Sequence, residues 1–136
     1  MKLEEGMYVR TINDKAVGNG IIGKIKYINE REFKGKSKKY YSVWTNNEDW
    51  FEILENNAVS EKIKASHNII DLIEVGDYVN GFRVDEIGEY HSIKTDKVET
   101  YAKVNCSALL NCFYEEDIKS IVTREQFESM SYKIKE

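Results

Sequence analysis

Glu5-Gly6-Met7-Tyr8-Val9 near the start of the chain returns seventy residues later as Val75-Gly76-Asp77-Tyr78-Val79. Glycine, a turn residue, an aromatic and valine in that order open a strand out of a tight turn, and the recurrence divides the chain into two related units. A second echo follows the first. Glu61-Lys62-Ile63-Lys64 and Glu116-Asp117-Ile118-Lys119 each precede a short segment with a helix start. Ser66 is placed to cap Asn68 to Ile73, and Thr123-Arg124-Glu125-Gln126 fits a capping box that opens a helix over 124–130. The expected division is 1–66 and 67–136.

Composition points the same way. Of 136 residues 41% are apolar and 32% charged, with 15 Ile and 10 Val against 5 Leu and 5 Ala, and 9 Tyr. β-branched and aromatic side chains pack on a pleated surface, so the chain is expected to be mainly β. Met7 to Ile12 reads as a strand, and Ile21, Gly23, Ile25 and Tyr27 alternate with Lys24 and Lys26 as one with its lysines in water. Glu30 to Lys39 reads as a polar hairpin connection between that strand and Tyr40 to Thr45. Trp50 to Leu54 and Ile63 to Ala65 complete the first unit. In the second, strands are expected at Tyr78-Val79, Arg83 to Ile87, Ser92 to Thr95, Val98 to Cys106, Ile118 to Val122 and Tyr132 to Ile134. The cleanest period of two in the chain runs from Val98 to Cys106.

Gly6-Met7-Tyr8-Val9 with Gly20-Ile21-Ile22-Gly23-Lys24-Ile25 resembles the opening of SH3-like small barrels. The resemblance implies two tandem small SH3-like β-barrel units with short connecting and C-terminal helices. Two longer stretches, Ser66 to Gly81 and Ile118 to Glu128, resemble small uncharacterised proteins encoded by phages and prophages of Gram-positive bacteria. That group implies a phage accessory protein in the host cytosol, where inhibitors of host enzymes and of bacterial defence, anti-CRISPR proteins among them, are common. It brings no catalytic residue with it.

Charge limits the partners. Lys plus Arg is 20 and Asp plus Glu 24, a net of −4. Residues 1–66 carry twelve basic and ten acidic side chains (+2), and 67–136 carry eight and fourteen (−6). General affinity for nucleic acid is not expected, and the two surfaces suit different partners. The start lacks the apolar core of a secretion signal, no apolar run approaches a membrane span, and two cysteines are too few for a disulfide scaffold, so the cytosol is the expected compartment.

No motif carries chemistry. Cys106, Cys112, His67 and His91 lack metal-ligand spacing, and Gly18-Asn19-Gly20-Ile21-Ile22-Gly23 has the phosphate-loop spacing in a strand context without a following helix. Asp71, Glu74, Asp77, Asp85, Glu86 and Glu115-Glu116-Asp117 read as acids of solvated turns. No cofactor, metal or catalysis is expected. The basic tract stands out instead: Arg31, Lys34, Lys36, Lys38 and Lys39 lead into Tyr40, Tyr41 and Trp44. Cations beside stacking rings grip single-stranded nucleic acid, and the same composition suits a solvated hairpin tip. Period two sets Tyr40 and Trp44 on one face and Tyr41 and Val43 on the other, and both cannot be equally buried.

The function expected is that of a non-enzymatic protein occupying a host or defence-system protein. The alternative is nucleic-acid binding through the hairpin at 31–44. In either case the contacts are expected from Arg31, Lys34, Lys36, Lys38, Lys39, Tyr40, Trp44 and Trp50. Oligomeric state is left open.

Overall fold

The computed structural model describes residues 2–12, 17–45, 49–55, 62–104 and 112–130. The chain divides into two units, Met1–Asn68 and Ile69–Glu136. The first is built on β1 (Tyr8–Thr11), β2 (Ile22–Phe33), β3 (Lys36–Trp44), β4 (Trp50–Leu54) and β5 (Ile63–Ser66). The second has β6 (Tyr78–Val79), β7 (Phe82–Ser92), β8 (Lys97–Val104), β9 (Cys112–Phe113), β10 (Ile121–Val122) and the helix α1 (Arg124–Met130). Each unit holds one five-stranded antiparallel sheet, ordered β4-β3-β2-β1-β5 and β9-β8-β7-β6-β10. The order is the same in both: a four-strand meander whose fifth strand returns beside the first.

The repetition extends to register. Tyr8 lies opposite Lys24, and Tyr78 opposite Arg83. One residue later Ile25 faces Val43 and Val84 faces Val104, and there both ladders slip by one. The extra residue is Lys26 in β2 and Asp85 in β7. A bulge reverses the alternation beyond it. Ile25 is buried, and an unbroken period of two would bury Tyr27 with it. Instead Ile28 turns toward the core and Tyr27 stands 56% exposed, against the expected Ile21-Gly23-Ile25-Tyr27 stripe.

The two cores are separate clusters. Leu3, Val9, Ile25, Tyr41, Val43, Ile53 and Ile63 fill the first, and Ile70, Ile73, Val79, Val84, Ala102 and Val104 the second. Fully burying one such Val or Ile side chain contributes about 1.5–3 kcal/mol. Gly23 lies where the first sheet is tightest, since a Cβ there would stand 2.5 Å from Val43 Cγ1 and 2.9 Å from the Trp44 carbonyl oxygen.

Several expected boundaries move. Glu30 to Lys39 is not a loop: β2 and β3 run through it to a two-residue turn, Lys34-Gly35, with φ of 53° and 77°. Positive φ at both central residues matches the twist of a hairpin. Ser92 to Thr95 is not a strand, because Ile93–Asp96 forms the turn between β7 and β8. Of Ile118 to Val122 only Ile121–Val122 pairs. The alternation read from Val98 to Cys106 has the right period, but Val98 is 59% exposed while Ala102 and Val104 are buried, since the hairpin outruns the core. Cys106 and Tyr132 to Ile134 lie outside the described residues.

The caps follow the residues expected of them. Ser66 Oγ accepts from Asn68 N (3.1 Å) before a 3-10 turn, Ile69–Leu72. Gln126 N donates to Thr123 Oγ1 (3.2 Å), and Thr123 N donates to Gln126 Oε1 (3.1 Å), at the start of α1.

Candidate functional site

The site follows from the pairing of β1 through β4. Tyr8, Lys24, Trp44 and Trp50 lie opposite one another in turn, making one row across four strands. Side chains in such a row share a face. Lys24 Nζ stands 5.3 Å from the Tyr8 ring centroid and Lys26 Nζ 5.0 Å from that of Trp44. Trp44 and Trp50 stack at 6.3 Å with 24° between their planes. The next rows along are Tyr27–Ser42–Glu52 and Asn29–Tyr40–Leu54, followed by Arg31–Lys38. Arg31 lies 4.5 Å over the Tyr40 ring and donates from Nη2 to Glu52 Oε2 at 2.8 Å.

The face opposite the core thus carries Lys24, Lys26, Arg31, Lys36 and Lys38 on β2–β4, against Glu52 alone among the acids of those strands, or five minus one, +4. Glu52 is engaged by Arg31, so its charge is spent locally. Trp50 and Tyr27 are each 56% exposed, while Tyr8, Tyr40 and Trp44 are half-buried. Arg10, at an outer position of β1, is fully buried, which confines the open part to β2–β4.

Strand geometry divides the expected site residues. Arg31, Lys36, Lys38, Tyr40, Trp44 and Trp50 meet on this face. Lys34 is in the turn, and Lys39 pairs with Glu30 on the other side of the ladder. Tyr41 and Val43 are the buried pair of the two aromatic faces, 3% and 0% exposed. The burial of Tyr41, together with the charge and hydrogen bond of Glu55, raises its phenol pKa above 10.0. Lys24, Lys26, Tyr8 and Tyr27 belong to the site although their sequence context marks the lysines only as solvated. No local signal announces the bulge that brings Lys26 to Trp44.

Asp77, Glu115 and Glu74 of the second unit do structural work. Asp77 is fully buried, its carboxylate accepting from Glu74 N (2.7 Å) and Arg124 N (2.9 Å). Glu115 accepts from Ile69 N (2.9 Å) and Ile70 N (2.7 Å). Neither is the acid of a solvated turn. Arg124 Nη2 reaches Glu74 Oε1 at 2.7 Å, and Phe127 of α1 stacks on Tyr78 at 4.5 Å. His67 and His91 are exposed and lie 3.2 Å and 2.9 Å from carboxylate oxygens of Glu4 and Asp96. Cys112 is half-buried opposite Lys103. Among the described residues no three His, Cys, Asp or Glu side chains are grouped to hold a metal ion, and no helix is long and apolar enough to cross a membrane. No protein-family model, curated protein or solved structure matches the chain.

Proposed function

We propose that this is a non-enzymatic binding protein whose working surface is the outer face of β2–β4, and that its ligand there is single-stranded nucleic acid. The row Tyr8–Lys24–Trp44–Trp50, three rings with Lys24 among them and Lys26 beside Trp44, carries the proposal. Bases stack on aromatic faces while ammonium and guanidinium groups meet phosphates, a combination that is tolerant of sequence. Each unit is taken as an SH3-like small barrel, supported by the meander with a returning fifth strand and by its repetition in both halves. Anisotropy of labelled single-stranded DNA and RNA at low salt tests the ligand. Absence of binding there, or binding unchanged by Trp50→Ala, overturns it.

A second reading, a phage accessory protein that inhibits a host or defence protein in the cytosol, is favoured by the β7–β8 hairpin. Its Tyr90, Ile93 and Val98 are 53%, 94% and 59% exposed, an apolar tip suited to a protein surface. Affinity capture from host lysate with and without nuclease separates the two. A stoichiometric protein retained after nuclease supports the inhibitor, and loss on nuclease supports the nucleic-acid ligand.

A further inference from the structure

Tyr40 and Tyr101 occupy the same place in the two ladders. Each stands two residues before the strand position opposite the bulge, Ser42 in β3 and Lys103 in β8, and they face Asn29 and Gly88. One row farther out, Arg31 faces Lys38 in the first unit and Tyr90 faces Glu99 in the second. Glu52, beside Ser42, corresponds to Cys112, beside Lys103.

In the first unit the space over the Tyr40 ring is filled from within, by the Arg31 guanidinium anchored to Glu52. In the second unit neither the cation nor its anchor is present at the matching positions. Among the described residues no ammonium or guanidinium lies over Tyr101.

What surrounds Tyr101 is suited to a cation. Its ring reaches over Gly88, where a Cβ would stand 2.5 Å from both Cζ and Oη. The Tyr114 ring stands 5.9 Å away, tilted by 56°. Tyr90 lies two residues beyond Gly88, and Glu99 is directly opposite it. The Tyr114 phenol has a pKa above 10.0, first through burial and then through the nearby charges of Cys112, Glu99, Tyr101 and Tyr90, so these groups share one neighbourhood.

We propose that Tyr90, Tyr101 and Tyr114, with Glu99 at the rim, receive an arginine side chain from the surface of a partner protein, in the position that Arg31 holds over Tyr40. A planar guanidinium stacks on a phenol face and keeps donors free for Glu99, which a compact ammonium does less well. Electrostatics permit it. Outer positions of β7–β9 set Asp85, Glu86 and Glu99 against Arg83, Lys97 and Lys103, an even balance where β2–β4 are strongly basic, and residues 67–136 carry −6 overall. The inference deepens the protein-partner reading by naming the group recognised, and it does not depend on the nucleic-acid reading.

The test is aromatic NMR of the full chain titrated with the peptide acetyl-Gly-Arg-Gly-amide and with its citrulline isostere, which has the same shape and no charge. The arginine peptide is expected to shift the rings of Tyr90, Tyr101 and Tyr114 saturably, with citrulline about fivefold weaker or worse. Tyr101→Leu should abolish these shifts. Glu99→Gln, an exposed change that leaves the core intact, should weaken binding by about twofold to threefold. Arg31→Ala uncovers the equivalent ring of the first unit and should add new shifts at Tyr40. Equal response to citrulline, no saturable shift at these rings, or their preferential response to an oligonucleotide overturns the inference. Capture of a host protein unaffected by Tyr101→Leu also overturns it, while leaving the protein-partner reading standing.

Discussion

Trp44 and Trp50 stack across the β3–β4 pair with ring centroids 6.3 Å apart, and Trp50 ends a row begun at Tyr8 and Lys24. Trp50 is thus held in orientation by a neighbour and still 56% exposed. A stacking platform needs both properties, because a ring that is already ordered loses little freedom when a base settles on it.

Trp50→Ala should weaken single-stranded DNA or RNA binding by about 1–3 kcal/mol with little change in Tm. Anisotropy and thermal melting of the same preparation check it. A fall in Tm that matches the loss of binding would assign Trp50 to the fold instead.

Affinity should fall steeply with salt, because phosphate contacts release counterions. Each of Lys24, Lys26 and Lys38 that touches phosphate contributes about −0.7 to the slope of log K against log salt. Lys24→Gln with Lys38→Gln should therefore flatten that slope by about 1.4. Lys39→Gln, on the opposite side of the ladder, should leave it nearly unchanged.

Gly23→Ala drives a methyl group against Val43 Cγ1 and the Trp44 carbonyl. The backbone cannot swing aside as a flexible side chain can, so overpacking should cost about 1–3 kcal/mol. Urea unfolding measures it, and a cost below about 0.5 kcal/mol would mean that the strands separate more easily than the core implies.

Burial first, then Glu55, raises the Tyr41 phenol pKa above 10.0. The unfolded chain therefore loses this proton before the native one does. The stability linked to Tyr41 is complete below pH 10.0 and is lost as pH rises through the folded pKa. Tyr41→Phe should make the decline in stability above that point shallower, as read from urea midpoints across the alkaline range.

Asp77→Ala removes the acceptor of two backbone amides, one on either side of the contact between the β6 turn and α1. Hydrogen bonds to a buried carboxylate are worth about 1.5–3 kcal/mol each. The expected result is a large loss of stability, with amides of α1 exchanging faster and Tyr78 losing the cover of Phe127. Hydrogen exchange resolved by residue checks both.

The mainly β class is legible in the sequence, because Ile, Val and Tyr at period two have few other ways to bury one side. The Gly-x-Tyr-Val repeat likewise marked the starts of β1 and β6, and the capping residues Ser66 and Thr123 marked where helical turns begin. These features depend on backbone conformation and neighbouring side chains, which a linear string records directly. The tract from Arg31 to Trp44 was recognisable as the place where rings and cations gather, for the same reason.

Which of those cations share a face was settled by pairing. A bulge at Lys26 costs one residue of register and leaves no mark in composition, yet it turns Tyr27 outward, sends Ile28 in and brings Lys26 over Trp44. The backbone amides held by Asp77 and Glu115 were equally invisible, since these donors lie up to 47 residues away along the chain. Local order follows from local chemistry, whereas a surface spanning four strands exists only once distant segments are aligned, and that alignment is a property of the whole sheet.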